Sequence, residues 1–172
     1  MNDNKIKILR NFKDTDPSDL KLRREIELSS LNYLIGSGYI NLDTPVIEPA
    51  DLFFRKSLGS TSGNTYTFID SQNQQVSLRP DFTASIMRYS FSNSKKIENN
   101  MGKYCYSGPV FRFENNNESN QQYQIGAEYI SEKKQGYESE VILDAIKCLQ
   151  INNINAVSYT HLRAHETLTD RV

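Results

Sequence analysis

Two strand-like segments in the second half of the chain constrain its fold more than any other feature. Residues 103–113 are rich in aromatic and β-branched side chains, and residues 121–130 alternate polar with apolar side chains. Both patterns are typical of β-strands. The connection between them, residues 114–120, reads ENNNESN, a composition typical of a loop. The sequence therefore predicts two neighbouring strands in this region.

Helices are predicted around these strands. Asp16 and Pro17 are typical of a helix start, and the glycines of residues 36–38 are typical of its end. Prolines within residues 39–49 exclude a helix there and predict an extended edge or interface segment. The remaining predictions are a helical turn at 50–56, a loop at 57–64, a hairpin of 66–70 with 75–79, a helix from Pro80 to Phe91 and a last helix from Glu138 to Leu149. This order favours an α+β fold with a mostly antiparallel sheet flanked by helices.

Charge and hydropathy exclude two classes of protein. The chain has 172 residues, with 20 Lys and Arg against 21 Asp and Glu, so a broadly basic nucleic-acid-binding surface is not expected. No apolar run approaches the roughly 18–20 residues of a membrane span, and the start MNDNKIKILR has no apolar signal core. We therefore expect a cytoplasmic protein with no membrane contact, in which Cys105 and Cys148 are free thiols.

The composition changes near the C-terminus. From about Val157 the chain reads VSYTHLRAHETLTDRV, and this segment contains both histidines, His161 and His165. It resembles peptides translated from sequencing-adapter DNA, so we expect residues 1–156 to be one partial domain and residues 157–172 to be foreign. The two histidines are four residues apart, but Leu162 stands where a metalloprotease pattern requires Glu, so no metal site is predicted.

Catalysis by a Ser-His-Asp or Cys-His set requires a histidine in the body of the fold. None precedes residue 161, so both schemes are excluded there. What remains is a group of polar side chains within otherwise apolar elements. They lie at the junction of residues 79–83, at the end of the first long strand and along the second: Asp81, Thr83, Arg112, Glu114, Gln124 and Glu128.

Strand periodicity places several of these side chains together. Arg112 and Glu114 are two residues apart, and Gln124 and Glu128 are four apart, so each pair shares a face of its strand. A guanidinium binds carboxylate or phosphate, whereas carboxylates and an amide suit an amino group. One interpretation is a pocket for an amino acid and a nucleotide phosphate. The other is an ordinary solvated sheet face, with Asp81 capping its helix and an Arg112–Glu114 surface ion pair.

At these residues the sequence resembles the histidyl-tRNA synthetase family of the class II aminoacyl-tRNA synthetases, which includes the regulatory subunit of ATP phosphoribosyltransferase. The segment GYINLDTPVIEP resembles class II motif 1, and YSGPVFRFE and QYQIGAEYI resemble the two strands of motif 2. SLRPDFTASIMR resembles the Leu-Arg-Pro-acid-x-Thr segment of the family. The resemblance implies a class II synthetase-like antiparallel sheet flanked by helices, incomplete at the C-terminus, and a homodimer formed through residues 17–49.

The resemblance also implies a role for each polar residue. Asp81 and Thr83 would hold the amino group of a bound histidine, and Gln124 and Glu128 would complete that pocket. At the end of the first long strand and in the loop that follows it, Arg112 would meet the α-phosphate of ATP and Glu114 would steady the adenine end.

Two functions are implied, and a class II-like fragment without a ligand is a third possibility. LRPDFT, PADLFFRKS and YSGPVFR are most similar to the regulatory subunit, which acts in the first step of histidine biosynthesis, requires no cofactor and binds the catalytic subunit in a hetero-oligomer. The alternative is a histidyl-tRNA synthetase, which uses ATP, Mg²⁺ and tRNA. Glu114 favours the synthetase, because a non-catalytic chain need not retain it. Against the synthetase, the segment from Phe113 to Ile130 contains none of the basic residues with which the family's motif 2 loop contacts ATP or tRNA. Motif 3 and an anticodon-binding domain are not found in the sequence.

Overall fold

The helices and strands follow the predicted order. The computed structural model describes residues 6–54, 65–93, 102–113, 119–131 and 137–154. The elements in these ranges are α1 (Pro17–Gly36), β1 (Ile40–Asn41), β2 (Ile47–Pro49), α2 (Ala50–Phe54), β3 (Thr67–Ile69), β4 (Gln75–Leu78), α3 (Thr83–Ser92), β5 (Gly102–Phe111), β6 (Gln121–Ile130) and α4 (Glu138–Ile151). The α+β prediction is confirmed. The loop at 57–64 and the tail from residue 157 lie outside the described residues.

The strands form two sheets of three. In one, β5 lies between β1 and β6, and in the other, β4 lies between β2 and β3. The hairpin predicted at 66–70 and 75–79 is confirmed as the antiparallel β3–β4 pair. The β1–β5 pair is parallel, which the prediction of a mostly antiparallel sheet did not specify. A parallel neighbour requires a long crossover, and here residues 42–101 supply it.

The register of β5 and β6 decides which side chains share a face. Ten residue pairs run from Gly102 opposite Ile130 to Phe111 opposite Gln121. Directly opposed residues of an antiparallel pair point to the same side, and every second residue follows them. The side that we call the front face therefore carries, from the two strands, Tyr104, Tyr106, Gly108, Gln124, Gly126 and Glu128.

Apolar side chains hold α3 on the front face. Phe82 and Ile86 are fully buried and pack with Tyr104, Tyr106 and Val110. Burial of each such side chain contributes roughly 2 kcal/mol. The prediction that this helix begins at Pro80 is corrected, because α3 begins at Thr83. The two residues before Phe82 form the turn that leads out of β4.

The opposite side of the sheet packs against α1 and α4. Leu34 and Tyr39 form a buried cluster with Cys105, and Cys148 of α4 packs on it. Both cysteines are free, as predicted. The buried carboxylate of Asp144 accepts hydrogen bonds from the hydroxyls of Tyr33 and Tyr39, each at 2.8 Å. These bonds attach α4 to α1 and to the segment that follows it.

The predicted start of α1 is confirmed. Asp16 occupies the N-cap position and its carbonyl accepts from the Leu20 amide at 2.8 Å, but its carboxylate makes no capping hydrogen bond. In the ranges that the structure describes, no helix has a stretch long and apolar enough to cross a bilayer.

Candidate functional site

A hydrogen bond between α3 and β6 defines the site. The Thr83 hydroxyl donates to Glu128 Oε1 at 2.6 Å, and both side chains are half-buried on the front face. Thr83 is the first residue of α3, and Glu128 lies opposite Tyr104 in the β5–β6 register. The structure therefore brings together two residues that the sequence analysis assigned to one pocket.

Asp81 lies beside these two residues, with its carboxylate turned towards the helix start. Its Oδ1 accepts from the backbone N–H of Ala84 at 3.4 Å, which is at the long limit of a hydrogen bond. Its charge also acts on Tyr106 of the front face. Asp81 thus makes the weak helix contact that the solvated-face interpretation predicted, and it also adds negative charge to the site.

Tyr106 is a site residue that the sequence analysis missed. Its ring stacks on Phe82 with ring centres 4.2 Å apart and an interplanar angle of 17°. Burial, together with the nearby carboxylates of Glu128 and Asp81, raises the pKa of Tyr106 to about 12, against an opposing effect of Arg112. The polar residues singled out from the sequence included no tyrosine. The spacing of two residues between Tyr106 and Gly108, which lies opposite Gln124, would have placed it on the same face.

The other predicted site residues have different outcomes. Gln124 lies on the front face opposite Gly108, four residues from Glu128 as predicted. Arg112 follows the end of β5 at Phe111, so the prediction that it lies within the strand is corrected. Its Nε donates to the carbonyl of Pro80 at 2.8 Å, which joins it to the turn before α3. Glu114 lies outside the described residues.

A buried arginine supports the turn that carries Asp81 and Thr83. Arg79 is 2% exposed, and it donates through Nη1 to the Thr44 carbonyl at 2.6 Å and through Nε to the Pro109 carbonyl at 2.9 Å. Its guanidinium lies 3.9 Å from the centre of the Phe82 ring. Burial lowers the pKa of Arg79, and the nearby Asp43 carboxylate opposes that shift.

Glycine at position 108 allows this packing. It has a φ of +155°, and a Cβ added there would lie 2.5 Å from Arg79 Nη2 and 3.0 Å from the Phe82 ring. A side chain at this position would therefore push apart the arginine and the phenylalanine that set the position of α3.

The arrangement suits a small zwitterion. Two carboxylates and a side-chain amide are suited to an ammonium group, and the remaining guanidinium nitrogens of Arg112 are suited to an anion. The described ranges contain no group of three His, Cys, Asp or Glu side chains that could hold a metal ion. His161 and His165 lie outside those ranges.

Comparison with protein families gives one match over most of the chain. The model of the family described as histidyl-tRNA synthetase matches residues 11–172. The chain is 30% identical over 172 residues to the histidine–tRNA ligase of Rickettsia canadensis (strain McKiel), covering 95% of this chain and 41% of that protein. It is 34% identical over 154 residues to the chloroplastic histidine–tRNA ligase of Gracilaria tenuistipitata var. liui, covering 84% of this chain and 36% of that one. The chain thus spans about two fifths of the length of these relatives.

Solved structures have the same fold. The apo histidyl-tRNA synthetase of S. aureus superimposes with a TM-score of 0.71 at 30% identity, over 85% of this chain and 39% of that one. A Bacillus halodurans protein described as an ATP phosphoribosyltransferase regulatory subunit/histidyl-tRNA synthetase superimposes with a TM-score of 0.79 at 23% identity, over 90% of this chain and 40% of that one. The class II synthetase-like fold predicted from the sequence is confirmed.

Proposed function

This chain belongs to the histidyl-tRNA synthetase family, and from that premise we propose that its front-face pocket binds free L-histidine. The observation that carries the proposal is the Thr83–Glu128 hydrogen bond, which joins the helix start to the sheet. Asp81 and Thr83 would hold the amino group, and Gln124 and Glu128 would complete the pocket. The two carboxylates supply the negative charge that an ammonium group requires.

The role that we propose for this pocket is to sense histidine as the regulatory subunit of ATP phosphoribosyltransferase, in the first step of histidine biosynthesis. Two features support it. Asp81 is one methylene shorter than Glu and its carboxylate is turned towards the Ala84 amide, a poor geometry for holding an amino group during catalysis. The sequence between Phe113 and Ile130 also contains no basic residue, so tight binding of a polyanion is not supported there.

In that role the protein would bind the catalytic subunit in a hetero-oligomer. Histidine bound in the pocket would change the free energy of the assembly, and the catalytic subunit's substrates would change the affinity for histidine by the same factor, because linkage is reciprocal. We also propose a homodimer formed through residues 17–49. Ile40 and Ile47 of the edge strands β1 and β2 support it, since they are 54% and 49% exposed.

The second candidate function is histidine–tRNA ligase activity. It is favoured by the curated relatives, which are named histidine–tRNA ligases at 30% and 34% identity. In this reaction the histidine carboxylate attacks the α-phosphate of ATP, which forms an adenylate and releases pyrophosphate. Arg112 would meet the α-phosphate and stabilise the charge that develops there, and Glu114 would steady the adenine end. Mg²⁺ and tRNA would be needed in addition.

Two assays on the full-length protein separate these roles. Isothermal titration first establishes whether the protein binds histidine. A histidine-dependent pyrophosphate exchange assay then follows the formation of an adenylate. We expect binding without exchange for the regulatory subunit. Robust exchange would instead establish the ligase, and the absence of histidine binding would contradict the proposed pocket.

A further inference from the structure

Three parts of the chain that are distant in sequence meet at Asn120, the residue before β6. Asn120 is 2% exposed. Its backbone N–H donates to the Asn11 carbonyl at 2.7 Å, and its Nδ2 donates to the Tyr66 hydroxyl at 2.5 Å. Its carbonyl accepts from the backbone N–H of Arg112 at 2.9 Å. Asn120 therefore joins the N-terminal segment, the start of the β3–β4 hairpin and the residue that follows β5.

The N-terminal segment is held at this junction by its backbone and by an aromatic ring. Asn11 has a φ of +60°, a left-handed conformation that asparagine adopts more readily than most residues. The Phe12 ring packs edge-on against Tyr66, with ring centres 6.1 Å apart. The Tyr66 carbonyl accepts from the Leu78 amide of β4 at 2.9 Å, so this tyrosine is fixed to the second sheet. Residues 11 and 12 are thus attached to the ends of both sheets.

The position of Arg112 depends on the same junction. Arg112 lies just beyond β5, which ends at Phe111, so the strand ladder no longer fixes it. It is held instead by the Asn120 carbonyl, which accepts from its backbone N–H, and by the Pro80 carbonyl, which accepts from its Nε at 2.8 Å. The charge of Arg112 reaches the front face, where it opposes the rise in the pKa of Tyr106.

We infer that the N-terminal segment, acting through Asn120, positions the Arg112 guanidinium for the carboxylate of bound histidine. A hydrogen bond between a guanidinium and a carboxylate weakens steeply when its geometry changes, so an arginine beyond the end of a strand needs a fixed backbone. Asn120 is a positioning residue, because it acts through Arg112. This inference rests on the proposed function, since it takes histidine as the ligand.

The readout is the ratio of the affinities for L-histidine and L-histidinol, measured by isothermal titration of the full-length protein. Histidinol has an alcohol in place of the carboxylate and keeps the amino group and the imidazole. The wild type should bind histidine about tenfold or more tightly than histidinol. Asn120→Ala removes the bond to Tyr66, so histidine should bind about fivefold or more weakly, while histidinol binds within about twofold of the wild type.

Two substitutions of Asn11 test the N-terminal segment itself. Isoleucine is β-branched and disfavours the left-handed conformation, whereas glycine adopts it readily. Asn11→Ile should displace the carbonyl that accepts from Asn120 and lower the ratio, as Asn120→Ala does. Asn11→Gly keeps the backbone conformation and should keep the ratio of the wild type.

Asn152→Ala is the control for a loss of stability alone. The Nδ2 of Asn152 donates to the Cys148 carbonyl at 2.7 Å and to the Ser30 hydroxyl at 3.1 Å, where α4 meets α1. Its removal should lower the melting temperature and leave the ratio of the two affinities unchanged, because no contact with Arg112 is lost.

The outcomes separate this inference from the function on which it rests. If the wild type does not bind histidine, the proposed function itself fails. If it binds histidine and histidinol equally well, or if either Asn120→Ala or Asn11→Ile keeps the wild-type ratio, the positioning role is overturned while the pocket stands.

Discussion

The Thr83 hydroxyl donates to the Glu128 carboxylate at 2.6 Å, although 45 residues separate the two in the chain. This bond joins the first residue of α3 to the middle of the front face. It engages one oxygen of the Glu128 carboxylate. The geometry of the pocket therefore depends on one short contact between a helix start and a strand.

Replacement of Thr83 tests this contact. Thr83→Val keeps the shape of the side chain but removes the donor, so Glu128 loses its partner and histidine affinity should fall about tenfold or more. Thr83→Ser keeps the hydroxyl and should bind within about threefold of the wild type, a difference of under 1 kcal/mol. Isothermal titration of both variants checks the prediction. Equal affinities for the valine and serine variants would exclude a role for the hydrogen bond.

Arg79 should matter for stability. Its side chain is buried and donates to the carbonyls of Thr44 and Pro109. Arg79→Met leaves both carbonyls without a partner, so the free energy of unfolding should fall by about 3 kcal/mol. Arg24→Met, at an exposed position of α1, is the control and should change it by less than about 0.5 kcal/mol. Urea denaturation measures both; equal effects would mean that the buried hydrogen bonds contribute nothing.

Stability should fall at alkaline pH. The ordinary pKa of tyrosine is 10, and that of Tyr106 is raised to about 12 in the folded chain. As the pH rises, the Tyr106 hydroxyl therefore loses its proton in the unfolded state before it does so in the folded state. The contribution of this group to the free energy of unfolding is complete below pH 10 and is lost as the pH rises towards 12. Tyr106 alone should account for about 1.4 kcal/mol of the loss by pH 11. Burial and the Asp144 carboxylate also raise the pKa of Tyr39, which adds to the effect.

Urea unfolding at pH 9 and pH 11 checks this prediction. Tyr106→Phe should lose less stability than the wild type between these two values. A variant whose stability falls with pH as steeply as that of the wild type would show that Tyr106 does not titrate with a raised pKa.

Glu48 and Arg88 should be energetically coupled. Arg88 Nη2 donates to Glu48 Oε1 at 2.6 Å and joins α3 to β2, and Glu48 is 5% exposed. A double-mutant cycle with Glu48→Gln and Arg88→Met should give a coupling energy of about 1 kcal/mol or more. The exposed pair Lys21 and Glu25, 3.9 Å apart, is the control and should give under about 0.5 kcal/mol. Equal couplings would show that burial does not strengthen the pair.

The sequence predicted those elements whose signals are local. Residues 121–130 form β6 with the same bounds, and Pro17 and the glycines at 36 and 38 correctly bracket α1. Hydrophobic periodicity and helix-terminal residues act over a few positions, so one sequence is enough to locate them. Strand periodicity placed several polar side chains on one face, and the resemblance proposed histidine as their ligand.

Features that depend on long-range packing could not be predicted in this way. The division of the strands into two sheets follows from long-range pairings such as that of β2 with β4, whose partners are 27 to 31 residues apart. Arg79 is buried because carbonyls 30 and 35 positions away accept its hydrogen bonds. Strand spacing indicates the face on which Tyr106 lies, but its stack on Phe82 and its fit above Gly126 depend on residues distant in the chain.

Histidine binding by wild-type and Glu128→Ala forms of the full-length protein tests the central claim most directly. Isothermal titration should show saturable binding of L-histidine to the wild type and no detectable binding to Glu128→Ala, with the circular dichroism spectrum and melting curve of the variant preserved. Binding of histidine to Glu128→Ala with the wild-type affinity would contradict the account.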